Sequence, residues 1–291
     1  HVELEVAMAG GRSEVLRAPV VIGADGSNGQ MRRLAAGLRD ERESEAGGRT
    51  RESRAEELAG EPEWYARGFA LEATVPYSAL AAKLPAGDAA EDLVFDFAPI
   101  RGGYGWMFPK GDHINIGVGA FVTLRETDGP GRAGESVTRG LLASYARAKL
   151  GVELEQIAGA HVTGQYLGLG GHAYVPRGRV LLAGDAAGLV DPLTGEGIHS
   201  AVVSGQAAAA AVLTCGDDRR WADVAERYAE GLRELQETLA FSQRAAQRFY
   251  REPGRGFRVM RMPLLRRLVL KTYADGLPHT KLLAGLARRV A

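Results

Sequence analysis

Two places in the chain bring an aspartate to the end of an apolar run and set it among glycines: VVIGADG at 20–26 and RVLLAGD at 179–185. Where a buried strand ends in Gly-Asp at the carboxyl edge of a parallel sheet, its backbone and its carboxylate face whatever lies across that edge. Asp185, behind Gly184, can there accept hydrogen bonds from the hydroxyls of a sugar or polyol chain. The chain next bends through Pro192, Gly195, Glu196 and Gly197 and starts a helix near Ile198. The first free N–H groups of that helix follow two glycines and can touch a polar or anionic edge directly. Its residues are small (Ser200, Ala201, Ser204, Gly205 and Ala207 to Ala211), so it can pack close to its neighbours. Glycine and alanine serve plain helix-to-sheet packing equally well. The earlier stretch, VVIGADGSNGQMRR at 20–33, repeats the grammar with Gly23, Asp25 and Gly26 in its turn, 160 residues before Asp185.

A third stretch, YGWMFPKGDHINIG at 104–117, has a different chemistry. Tyr104, Trp106 and Phe108 alternate on one strand, which puts three aromatic rings on one face. Beyond the KGD turn, Ile114, Ile116 and Val118 alternate with Asn115, Gly117 and Gly119, giving one apolar face and one nearly bare one. A bare face is where a ligand or a backbone comes close. An aromatic strip of this kind suits the wall of a long apolar tunnel, with Lys110 at its mouth to meet a phosphate. The same residues also suit a well-packed hairpin. His113 and His199 are read as structural, and no catalytic acid and no metal site is assigned.

The elements that position these residues read as α/β, with α+β character. Two or three short strands run over residues 2–26, the last an apolar run of the kind buried on both faces. Residues 37–63 are charged and poor in large apolar groups, which reads as solvated. From 64 to 121, turn-rich punctuation separates strand-like runs and suggests an antiparallel meander. Helical spacing is expected over 135–150, a weakly patterned stretch with YLGLGG follows, and two or three helices close the chain. The expected organisation is a parallel-sheet domain over 1–36 and 172–215, an antiparallel insert over 64–171 and a helical region over 216–291.

Composition sets the bounds. With 291 residues, 45% hydrophobic and 25% charged, the chain can bury a substantial core, and 36 basic against 36 acidic residues give no field for nucleic acid. One cysteine, Cys215, excludes an internal disulfide framework. No run of about 18 apolar residues and no signal-peptide pattern is evident, so the expected address is cytoplasmic. From 253 to 291, nine Lys or Arg stand against Asp275 alone, a net of +8 among Phe257, Leu264, Leu265 and Leu268. That tail is either a packed amphipathic helix or a peripheral contact with an anionic membrane surface.

The two glycine-aspartate turns resemble the two downstream signatures of the FAD-dependent monooxygenase and reductase superfamily typified by p-hydroxybenzoate hydroxylase. The resemblance implies FAD, with Gly184 and Asp185 on its ribityl and pyrophosphate part, Asp25 and Gly26 supporting the pyrophosphate region, and Pro192, Gly195, Glu196, Gly197 and Ile198 bordering the isoalloxazine. Tyr104, Trp106, Phe108, Pro109, Lys110 and Gly117 fit the YxWxFPKxxxxxxG pattern of the geranylgeranyl reductase family, and PLTGEGI is similar to that family too. It implies an FAD-binding Rossmann-like sheet with an inserted antiparallel substrate domain and saturation of isolated C=C bonds in prenyl chains by hydride from flavin. NADPH or another donor would reduce the flavin. The sequence departs in two ways: Gly29 stands where a serine is usual, and the GxGxxG loop is absent, so an amino-terminal βαβ segment is expected to be missing from this chain. A flavin monooxygenase or halogenase on an aromatic substrate, or a non-enzymatic lipid-binding fragment, are the alternatives.

Overall fold

A computed structural model describes residues 1–37, 62–80, 92–121 and 137–254, with residues 258, 261–263 and 267 beyond them. Most of the charged stretch 37–63 and of the basic tail 253–291 therefore lies outside the described residues. The chain divides into two compact units, His1–Ala66 with Gly168–Phe241 and Arg67–Leu167 with Ser242–Ala291.

In the first unit, strands β1 (Val2–Ala7) and β2 (Ser13–Ala18) pair antiparallel as a hairpin of their own. Their alternation buries one side of β1 only in part, and Val15 and Leu16 are half exposed. Strand β3 (Val21–Gly23) instead pairs in parallel with β9 (Val180–Leu182), which is buried throughout. β3 is not buried on both faces as its apolar run suggested, for Ile22 is 42% exposed. The outer side of β9 is closed by two buried tyrosines rather than by a strand. Leu182 N–H donates to Tyr174 Oη at 2.9 Å, and Tyr228 Oη donates to Leu182 O at 2.6 Å. Both groups would otherwise be orphaned in the interior, where an unsatisfied backbone group is costly.

Helix α1 (Met31–Gly37) follows β3, and helices α4 (Ile198–Asp217) and α5 (Val224–Arg251) follow β9. Ser200, Ser204, Ala208, Ala211 and Cys215 form the buried stripe of α4, one residue per turn, against Leu181, Leu189, Tyr228 and Leu232. By mean hydropathy and length alone, though not by an unbroken apolar run, α4 is long and apolar enough to cross a membrane. Its serines and Gln206 disguise the run. In this unit only its stripe of small residues is buried, with Ser204 Oγ accepting Gly184 N–H at 3.0 Å, while Ile198, Val202 and Leu213 are exposed.

The second unit is built on a five-stranded sheet ordered β5-β6-β7-β4-β8, from β4 (Ala66–Pro76), β5 (Val94–Asp96), β6 (Gly103–Pro109), β7 (His113–Ala120) and β8 (His161–Leu169). It is a meander only over β5 to β7. β4 returns to the far side of β7, and the stretch with YLGLGG is a fifth strand that its weak apolar pattern concealed. Leu71, Ala73, Val75, Ile114, Ile116 and Val118 cover one face. After a helical turn, α2 (Tyr77–Leu80), helix α3 (Arg139–Leu150) packs on that face through Leu142, Tyr145, Ala146 and Leu150. Its ends follow simple chemistry: Thr138 Oγ1 accepts Leu141 N–H at 3.1 Å, and Gly151 at φ 71 stops the helix.

Candidate functional site

Parallel pairing of β3 with β9 sets Gly23 opposite Leu182, so the two glycine-aspartate turns leave one carboxyl edge side by side. The register is closed just beyond by Ala183 N–H donating to Gly23 O at 2.9 Å. Glycine is required at the turns themselves: Gly26 lies at φ 76 with open space around its Cβ position, and Gly184 lies at φ 58 with Ala201 of α4 only 3.2 Å from its own.

The two aspartates differ in what they do. Asp25 is exposed, and its Oδ2 accepts Met31 N–H at 2.9 Å, capping α1. A Cβ on Gly29 would lie 2.0 Å from Asp25 Cγ. The glycine that departs from the usual serine therefore accommodates this capping carboxylate. Asp185 is half-buried: its Oδ2 accepts Gly168 N–H at 3.0 Å, while Oδ1 lies 3.3 Å from the Cβ position of Gly197. Burial pushes the Asp185 carboxyl upward, against the pull of the Gly168 N–H. Among the described residues no side chain donates to Oδ1, so it can accept from a ligand hydroxyl.

The loop to α4 is held by its own side chains. Asp191 Oδ1 accepts Leu193 N–H at 2.8 Å and Thr194 N–H at 3.1 Å, and Asp191 N–H donates to Glu196 O at 2.8 Å. Pro192 is buried, Gly195 takes φ 71, and Ile198 is 79% exposed. Glu196 is a cap: its Oε1 accepts His199 N–H at 2.8 Å and takes up one of the free donors at the start of α4. Gly197, the N-cap, makes no side-chain bond.

Several residues behind this edge were not singled out in the sequence. Tyr65 Oη lies between Ser27 O at 3.4 Å and Asp185 O at 3.3 Å, its one proton shared between the carbonyls of the two turns. Arg32, only 1% exposed, lies with its guanidinium 3.5 Å from the centroid of the Tyr65 ring and donates to Ser27 O at 3.2 Å. Gly168 and Gly170 belong to YLGLGG, whose glycine spacing was the available signal; a Cβ on Gly170 would sit 2.0 Å from Trp64 O.

Tyr104, Trp106, Phe108, Pro109, Lys110 and Gly117 come together in the second unit. The first three share the sheet face opposite the α3 core, with Gly119, Gly117 and Asn115 of β7 directly across from them. That face is not bare. The Trp106 indole lies over Gly117, where a Cβ would be 2.2 Å from Cζ2, and Phe121 lies over Gly119. Trp106 Nε1–H donates to Asn115 Oδ1 at 2.7 Å. Tyr104 meets Phe121 at 5.1 Å and Phe97 at 5.6 Å between ring centroids. Lys110 is exposed at the hairpin turn, its N–H donating to His113 O at 2.8 Å, and His113 pairs with Asp112 at 2.6 Å.

No family model matches the chain. It is similar to a menaquinone reductase of Mycolicibacterium smegmatis, 38% identical over 119 residues, which cover 39% of this chain and 27% of that protein. It is similar to a chloroplastic geranylgeranyl diphosphate reductase of Oryza sativa subsp. japonica, 28% identical over 225 residues, covering 73% and 38%. The chain thus spans well under half the length of these curated relatives. A solved flavin-dependent brominase superposes with a TM-score of 0.54 at 14% identity, covering 97% of this chain and 65% of that one. At that identity the likeness is one of fold alone.

Proposed function

We propose that this chain, a homologue of the geranylgeranyl-type reductases, belongs to an FAD-dependent oxidoreductase that saturates isolated C=C bonds of prenyl-chain lipids. The observation that carries this reading is the shared carboxyl edge of β3 and β9. There, two glycine-aspartate turns lie side by side, and no described side chain donates to Asp185 Oδ1.

These residues fit FAD. Asp185 would accept a ribityl hydroxyl through Oδ1. The open turn at Gly26 would let a pyrophosphate approach the backbone. Gly195, Gly197 and the start of α4, a 20-residue helix, would border the ring and favour negative charge at its pyrimidine edge. Pro192 and Ile198 would add apolar surface there, and Glu196, by holding His199 N–H, fixes the shape of the loop. When bound and reduced by a donor such as NADPH, FAD supplies the hydride that adds to one alkene carbon while a proton adds to the other.

In the second unit, Phe108 and the Trp106 indole behind it would lie along the prenyl chain and keep water from it, backed by the buried Tyr104, with Lys110 pairing with a phosphate. An isolated alkene has no carbonyl to polarise, so holding the chain and excluding water are the protein's main means. We further propose that the basic stretch 253–291 rests on an anionic lipid surface; its composition is what supports this.

The test is anaerobic incubation of the protein with FAD, a chemical reductant and either geranylgeranyl diphosphate or menaquinone, followed by mass spectrometry. The expected product gains two hydrogens for each bond saturated. A substrate that returns unchanged while the same protein hydroxylates or halogenates an aromatic compound in air would replace this reading with the monooxygenase-like one.

A further inference from the structure

The aromatic sheet face of the second unit carries a charge that the proposed function leaves unexplained. Cross-strand register sets three rows on it: Tyr104 with Gly119 and Ala70, Trp106 with Gly117 and Glu72, Phe108 with Asn115 and Thr74. Leu71, Ala73 and Val75 point into the α3 core, so Glu72 points to the aromatic side. It sits on β4, between β7 and β8 in the sheet, a position that disfavours glutamate. Glu72 is half-buried, and no hydrogen bond or ion pair from a described residue reaches its carboxylate. A half-buried carboxylate in a central strand, without a described protein partner, is open to a ligand on this face.

The face also has a direction. At one end Lys110 is exposed at the hairpin; next come the half-buried Phe108, Asn115 and Thr74; then Glu72, in the same cross-strand row as the buried Trp106. Beyond them Tyr104, Gly119 and Phe121 are buried against one another. Lys110 follows Trp106 by four residues, about 14 Å along an extended strand. The accessible part of the face thus runs from a cation to an anion past the half-buried Phe108, Asn115 and Thr74, with the buried Trp106 indole as its floor.

Resting on the reading of this face as a prenyl-chain site, we propose that Lys110 and Glu72 together fix the direction in which a prenyl chain with an anionic head lies on it. The head pairs with Lys110, the chain crosses Phe108 and Trp106, and Glu72 bars a phosphate from the deeper end. Repulsion by a correctly placed like charge selects as strongly as attraction does. A neutral prenyl alcohol feels neither effect.

The experiment is calorimetric titration of the protein with geranylgeranyl diphosphate and with geranylgeraniol, for the wild type and for Lys110→Gln, Lys110→Glu, Glu72→Gln and the charge swap Lys110→Glu with Glu72→Lys. Lys110→Gln is expected to weaken the diphosphate about tenfold and the alcohol less than about twofold. Glu72→Gln is expected to strengthen the diphosphate severalfold and leave the alcohol unchanged. The swap should recover the diphosphate affinity that Lys110→Glu alone loses. If both probes bind but their ratio ignores Glu72 and the swap recovers nothing, the directional role is wrong while the prenyl site stands. If neither probe binds the wild type, the site reading itself fails and the directional role falls with it. Glu72→Gln is close to isosteric on a half-buried face, and a melting curve matching the wild type shows that any change arises at the site.

Discussion

Replacing Asp185 by asparagine is expected to weaken FAD binding by about tenfold or more while leaving the protein as stable as before, or more stable. The two effects have opposite signs because the carboxylate sits where folding does not want it. Its carboxyl is pushed upward, chiefly by burial, and the Gly168 N–H only partly offsets this. Because the folded-state value lies above the unfolded one, the favourable contribution is complete below the ordinary aspartate range, about pH 4, and is lost as pH rises through the folded value. At neutral pH the ionised side chain therefore opposes folding. Asparagine keeps an oxygen for the Gly168 N–H and removes the charge. A ligand hydroxyl donating to Oδ1 loses a charge-assisted bond, about 1.5–3 kcal/mol, which sets the tenfold scale. Thermal melting from pH 4 to pH 8 checks the first half: the advantage of the variant should shrink as pH falls. Fluorescence titration with FAD checks the second. A variant that melts far lower and binds FAD unchanged would make Asp185 a purely structural residue.

Gly168→Ala is expected to destabilise the first unit by about 2–4 kcal/mol and to abolish FAD binding with it. The added Cβ would lie 2.1 Å from Asp185 O and 2.8 Å from Tyr65 Oη. Backbone is the main obstacle, so no rotamer relieves the clash. The turn would have to move, and with it the Gly168 N–H bond to Asp185 and the Val190 N–H bond to Gly168 O, 3.0 Å each. Urea unfolding measures the loss. A midpoint equal to that of wild type would mean that the turn at Asp185 is looser than its contacts imply.

The parts of this fold that were legible in the sequence are those set by local rules. The strand that runs into Gly184 and the start of α4 after Gly197 follow from the glycine turns, and helical spacing over 135–150 marks α3. The repeated strand-Gly-Asp pattern pointed to two equivalent turns, and the parallel register of β3 and β9 sets them at one edge. What stayed hidden depends on partners far away in the chain. Nothing local marks β8 as a strand, since it carries Gly164 and exposed residues and gains its order from lying beside β4. Tyr65 and Arg32 acquire meaning only when Ser27 and Asp185 come to lie against them. Gly117 and Gly119 read as a bare face because a sequence pattern does not show where a neighbouring indole or phenyl ring will lie. Glu72 was one charge among 36 acidic residues until register set it opposite Gly117.

The central claim, that the shared edge of β3 and β9 is a flavin site, is tested most directly by titrating FAD with the natural protein and following flavin fluorescence polarisation, beside the Asp185→Asn variant. The account predicts saturable binding by the wild type and a curve displaced at least about tenfold for the variant. Superimposable curves, or no binding by the natural protein, would contradict it.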